Sequence, residues 1–192
     1  MKIVVLLGSP RQGGNSSMIA ERFLKTAVSL GAETEAFELN RLTFRGCQGC
    51  YACKKTLERC ILDDDLTPVL DAVKDADLVV MASPVYFGDV TSQLKGFIDR
   101  SFSYFRPDYV TNPKPSRLSA KKLLFVLTQG HPDETIFADI FPRYRRPLAR
   151  LGFEESRQIR ICGIGPHRSD EVPAQILAEA EQAAREMVDT GK

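Results

Sequence analysis

The sequence lacks an excess of charge of either sign: across 192 residues, 26 lysines and arginines face 25 aspartates and glutamates, a formal charge of +1. That balance gives no reason to expect a general nucleic-acid or anionic-membrane partner. Long hydrophobic runs are missing too. No stretch approaches the roughly 20 apolar residues of a membrane-spanning helix. The N-terminal MKIVVLLGSPR passes from a short apolar run straight into a turn, the form of a strand and not of a secretion signal. Histidine is scarce, and its two copies, His131 and His167, share no metal-ligand spacing. The expectation is a cytoplasmic protein with no nucleic-acid and no membrane partner, kept where thiols stay reduced.

What the chain has is a globular balance, 43% hydrophobic and 27% charged residues, in a length that suits a single domain over 1–192. Ile3–Leu7, Leu78–Ala82 and Leu123–Leu127 are near-continuous apolar runs, the pattern of strands buried on both faces. Weaker strands are expected at Thr34–Leu39 and near Gln158–Ile164. Between them, apolar residues recur at helical spacing from Ile19 to Leu30, with Gly31 as the stop. Further helices are expected from about Thr67, over Leu94–Phe102, over Ile136–Leu148 and from Glu171 to Val188. Five strands alternating with five helices predict an open α/β sheet with helices on both faces, whose ligands sit beyond the carboxyl ends of the strands.

Three strand-end loops therefore matter. The first, GSPRQGGNSS, has no Lys-Ser/Thr after its glycines, no Gly-x-Gly-x-x-Gly and no Cys-x5-Arg, so it is neither a Walker loop, a dinucleotide fingerprint nor a phosphatase loop. It offers Ser9, Asn15, Ser16 and Ser17 around Gly13 and Gly14 just before a helix, where backbone N–H groups and the helix dipole attract an anion, and Arg11 adds a charge. A glycine turn capped by Asn15 or Ser16 is the plain alternative. The second loop, SPVYFGDVTSQ, brings Tyr86 and Phe87 to a tight turn, and the third is TQGH at Thr128–His131. One anion site and two loops able to edge a planar ring describe a mononucleotide with an aromatic head.

Four of the five cysteines fall within CQGCYACKKTLERC, in a polar loop over about 41–65. Zinc ribbons and fingers separate two ligand pairs by a dozen or more residues, which this loop does not do. Cys47, Cys50 and Cys53 at successive two-residue gaps have the Cys-x2-Cys-x2-Cys spacing of bacterial ferredoxins, with Cys60 seven positions on. Arg41, Arg45, Lys54, Lys55 and Arg59 lie among them and would favour thiolates. A disulfide, zinc, an iron-sulfur cluster and idle thiols stay open on the residues alone. Asp63–Asp65 suits the start of the next helix, and Cys162 is expected to be a small buried residue on the last strand.

GSPRQGGNSS, SPVYFGDVTSQLKGFIDR and the position of TQGH resemble the flavodoxin-like NAD(P)H-dependent FMN reductase family. The segment 47–65, with Cys47, Cys50, Cys53 and Cys60 followed by Asp63 and Asp64, resembles its iron-sulfur flavoprotein branch. The resemblance covers Met1–Arg100 and continues beyond it in topology, and the absence of tryptophan departs from many flavodoxins proper. It implies a flavodoxin-like doubly wound five-stranded parallel sheet of order 2-1-3-4-5. It also implies FMN, with Ser9, Arg11, Asn15, Ser16 and Ser17 at the phosphate. Pro84, Val85, Tyr86, Phe87 and Gly88 would lie against the ring, and Thr128, Gln129 and Gly130 at its other side.

In the branch the four cysteines would hold a [4Fe-4S] cluster that exchanges electrons with the flavin, no side chain acting as acid or base. A ferredoxin-like carrier or NAD(P)H would donate, a small molecule would accept, and the chain would form a homodimer or homotetramer through LKGFIDR and the Tyr104–Tyr109 loop. Two other readings stand beside it. One is an NAD(P)H-dependent FMN or quinone reductase with structural, zinc-binding or free cysteines, and the other is a non-catalytic flavin- or nucleotide-binding module.

Overall fold

The computed structural model describes residues 1–165 and 172–188. Its elements run β1 (Lys2–Leu7), α1 (Asn15–Ser29), β2 (Glu33–Glu38), α2 (Leu66–Asp75), β3 (Leu78–Tyr86) and β4 (Asp89–Val90). They continue with α3 (Ser92–Arg100), β5 (Lys121–Thr128), α4 (Ile140–Arg150), β6 (Phe153–Ile161) and α5 (Ala174–Met187). The five long strands are parallel in the order β2-β1-β3-β5-β6. Counted without the two-residue β4, that is the expected order 2-1-3-4-5.

The apolar runs are central strands because alternate residues are buried in opposite layers. Val4, Leu6, Val79, Met81, Leu123 and Phe125 pack under α2, α3 and α4. Ile3, Val5, Leu78, Val80, Leu124 and Val126 pack under α1 and α5. The chain leaves β1 toward β2 on one side and returns to β3 on the other, so the crevice of a doubly wound sheet opens between the ends of β1 and β3. Thr91 ties these ends together: its hydroxyl donates to the Gly8 carbonyl at 2.8 Å and its N–H donates to Ser83 Oγ at 3.0 Å.

Several local expectations change. β3 runs on through Pro84 to Tyr86 and folds back as β4, pairing Val85 with Val90 and Tyr86 with Asp89. SPVYFGDV is therefore a hairpin, and both residues of its two-residue turn, Phe87 and Gly88, have positive φ, +47° and +85°. α4 starts at Ile140, not Ile136, because Phe137 has φ +64° and cannot belong to a helix. β6 begins at Phe153, where pairing with Lys121 of β5 outweighs the polar Glu154–Glu155–Ser156. Cys162 follows β6 and is partly exposed; burial still pushes its thiol up.

Leu94, Phe97 and Arg100 of LKGFIDR face the interior, and Tyr104 and Phe105 are buried as well, so those side chains pack within this chain. His167 and Glu171 lie outside the described residues. Among the described residues no helix is long and apolar enough to cross a membrane.

Candidate functional site

At the end of β1 the chain turns through Ser9–Gly14 and enters α1. Ser9 Oγ accepts from the Arg11 N–H at 3.2 Å, and a Cβ on Gly14 would stand 2.8 Å from that oxygen. Any larger residue there would force the Ser9 hydroxyl to move. Gly14 is the residue before the helix and carries no capping side chain; neither Asn15 nor Ser16 caps α1, and its first turn has no acidic residue. The first N–H groups of such a helix lack intrahelical acceptors and favour an anion.

Ser9, Arg11, Asn15 and Ser16 meet Pro84, Val85 and Tyr86 of β3 in one cleft of about 200 Å³, closed at its far side by Thr128 and Gly130. Asn15 reaches across it, donating from Nδ2 to the Gly165 carbonyl at 3.3 Å. Ser16 Oγ is buried without any hydrogen-bond partner. An unpaired buried hydroxyl costs about 1–3 kcal/mol, and a phosphate oxygen bound at the helix start would remove that cost. The residues fit a phosphate ester. Gly14, Ile164 and Gly165 also line the cleft; Ile164 and Gly165 come from beyond β6, where the sequence gives no signal.

Four expected residues stand elsewhere. Ser17, one position beyond Ser16 on α1, is turned into the protein and is 5% exposed. Gln129 is 2% exposed, and its amide holds the loop instead: Nε2 donates to the carbonyls of His131 and Asp133, while Oε1 accepts from Arg160 Nη2 at 2.6 Å. Phe87 and Gly88 form the hairpin turn beside the cleft, with Phe87 fully exposed on a left-handed backbone. An exposed apolar ring at that point suits a flat partner.

The cysteine loop forms a second concavity. Cys47, Cys50, Cys53 and Cys60 all line one cavity of about 400 Å³, with Arg100 and Phe102 in its wall. Gly49 and Tyr51, at φ +61° and +57°, reverse the chain between successive cysteines, and Tyr51 packs edge-on against Phe102 with centroids 5.8 Å apart. Among the described residues no three His, Cys, Asp or Glu side chains converge closely enough to hold a single metal ion. The donor set is four soft thiols lining one cavity, a chemistry that fits an iron-sulfur cluster.

Of the cations expected near the sulfurs, Lys54 is the one in contact: its Nζ stands 3.5 Å from Cys53 Sγ and donates to the carbonyls of Phe102 and Phe105 at 2.6 and 2.8 Å. Burial pulls this ammonium below the ordinary lysine value, against the opposing pull of Cys53. Arg41 instead pairs with Glu38, and Arg45, Lys55 and Arg59 are exposed. Two other arginines stand against the loop. Arg117 donates to the Cys53 carbonyl at 3.4 Å and to the Ser103 carbonyl at 3.0 Å, and Arg100 lines the cavity itself.

A model of the NADPH-dependent FMN reductase family matches residues 1–139. The chain belongs to that family. Within it the chain is similar to an iron-sulfur flavoprotein of Methanocaldococcus jannaschii, 39% identical over 101 residues, 53% of this chain and 52% of the relative. The chain spans about half the length of the curated iron-sulfur flavoproteins it matches. Among solved structures, the NAD(P)H:quinone oxidoreductase from Methanothermobacter marburgensis superposes with a TM-score of 0.78 at 21% identity, covering 98% of this chain and 96% of that one. An FMN-dependent NADH-azoreductase from Bacillus anthracis, in complex with FMN, gives 0.76 at 17% identity, covering 98% and 100%. At those identities the structural likeness establishes the flavodoxin-like fold.

Proposed function

We propose that this member of the FMN reductase family is an FMN-dependent oxidoreductase of the iron-sulfur flavoprotein kind, with FMN in the cleft at the start of α1 and a [4Fe-4S] cluster among the four cysteines. The observation that carries the FMN assignment is the buried, partnerless Ser16 Oγ at the first turn of α1. Ser9, Arg11, Asn15 and Ser16 would bind the phosphate. Pro84, Val85 and Tyr86 would hold one side of the ring system and Thr128 and Gly130 the other, while Phe87 excludes water from its edge. Bound FMN supplies one- and two-electron redox chemistry and a cluster supplies single-electron transfer. Cys47, Cys50, Cys53 and Cys60 would be the cluster ligands, with Lys54 offsetting negative charge at Cys53. Donors of matching chemistry are a ferredoxin-like carrier or NAD(P)H, and the acceptor is a small molecule reached beside the exposed Tyr86 and Phe87 in a homodimer or homotetramer.

A second reading, FMN or quinone reduction by NAD(P)H with free cysteines, is favoured by the exposure of Cys47 and Cys50. Anaerobic reconstitution with FMN, iron and sulfide separates the two. The proposal expects flavin bands together with a broad brown shoulder that bleaches with a one-electron reductant. Flavin bands alone, bleached by NAD(P)H and without bound iron, would leave the second reading.

A further inference from the structure

Arg100 ends α3, and its side chain is completely removed from water. Nη1 donates to the Arg45 carbonyl at 2.9 Å and to Asp64 Oδ2 at 2.8 Å, while Nη2 donates to the Leu62 carbonyl at 3.1 Å. Arg45 lies two positions before Cys47 and Leu62 two positions after Cys60. One guanidinium therefore joins the two ends of the segment that carries all four sulfurs. Asp64 reinforces the joint by accepting from the Arg45 N–H at 3.2 Å and the Leu66 N–H at 3.2 Å.

The third nitrogen is different. Arg100 Nε is buried and has no acceptor, although Arg100 lines the cavity that Cys47, Cys50, Cys53 and Cys60 share. A buried charged donor without a partner is costly and rare. The Nη groups are committed to the loop ends, so Nε–H is the guanidinium donor left over on a residue that lines the cavity shared by the four thiols. Hydrogen bonds to the sulfurs are among the means by which a protein tunes a cluster.

We infer that Arg100 is a positioning residue for the cluster: its Nη groups close the cysteine segment and its Nε–H is reserved for a sulfur of the bound cluster. This rests on the cluster reading above. Lysine at this position keeps the charge but lacks the planar fork that reaches two carbonyls and a carboxylate together.

The test compares the wild-type chain, Arg100→Lys and Asp64→Asn after anaerobic reconstitution with FMN, ferrous iron and sulfide. Bound iron and sulfide, the rate of iron loss to a chelator, and the midpoint potential of the cluster are measured. FMN binding, which belongs to other loops, reports that each variant is folded. Arg100→Lys is expected to release iron about 10- to 100-fold more readily and to shift the cluster potential while leaving the FMN affinity in place. Asp64→Asn, which keeps Arg100 and removes the charge that aligns it, is expected to change both in the same direction by a smaller factor, and it decides the matter if Arg100→Lys does not fold. Equal iron retention and equal potential in wild type and folded variants would overturn the inference while sparing the cluster reading. A wild-type chain that binds no iron would overturn both.

Discussion

Arg100 and Asp64 form an ion pair of 2.8 Å in which the guanidinium side chain is 0% exposed and the carboxylate 16%. The two residues lie 36 positions apart, one at the end of α3 and the other just past the last cysteine of the loop. Burial pushes the Asp64 carboxyl up, but hydrogen bonds from Arg100 and from the Arg45 amide outweigh it and leave the group below its ordinary value. A carboxylate so depressed adds stability that is fully present above its unfolded value of about 3.9 and fades as pH falls through the folded one. Asp64→Asn is expected to cost about 3 kcal/mol near neutral pH, at the low end for breaking a buried pair because Asp64 keeps some contact with water. Urea unfolding between pH 2 and 7 checks this. The gap between wild type and variant should narrow as pH falls below the unfolded carboxylate value, because the Asp64 charge that the variant lacks is then being lost from the wild type as well, and curves that stay parallel through that range would contradict the pairing.

Ser16 separates binding from folding. Ser16→Ala removes a buried hydroxyl that has no partner, so the FMN-free protein is expected to gain about 1 kcal/mol of stability. FMN affinity should fall about tenfold or more, the loss of one hydrogen bond to a charged group. Thermal melts with and without FMN read both quantities, and a variant that loses apo stability would contradict the placement of that oxygen.

Phe87 is fully exposed on a left-handed backbone, so Phe87→Ala removes nothing that holds the fold. Apo stability is expected to change by less than about 0.5 kcal/mol, while FMN binds about fivefold more weakly through loss of an aromatic contact. Fluorescence titration of FMN measures the second effect. Unchanged affinity would place the ring away from the hairpin turn.

The cysteines divide four to one. Cys47, Cys50, Cys53 and Cys60 share a cavity and Cys162 does not. Replacing any of the four with serine is expected to abolish most iron and sulfide uptake, whereas Cys162→Ser should retain it. Iron and sulfide assays on reconstituted protein decide this, and full uptake by Cys50→Ser would contradict the ligand set.

The central strands were legible because burial on both faces writes an unbroken apolar run, as at Ile3–Leu7 and Leu78–Ala82. The hairpin β3–β4 was not, since β4 is two residues long and Phe87 occupies a backbone conformation that the sequence would assign to glycine. β6 starts earlier than its apolar pattern predicts, because its first residues are polar and owe their strand to β5. In the site, Ser9, Asn15 and Ser16 followed from a helix start after a glycine turn, but Ser17 was carried inward by the helical rotation of about 100° per residue. Arg100 was hidden for a different reason. A single arginine closing an amphipathic helix reads as solvated, and only the distant Asp64, Arg45 and Leu62 make it internal.

The phosphate grip at α1 is tested most directly by equilibrium titration of the flavin-free wild-type chain with FMN and with riboflavin, which differ only in the phosphate. Two or more charge-assisted hydrogen bonds to the ester are expected to make FMN bind at least about 100-fold more tightly. Equal dissociation constants for the two flavins would contradict the account.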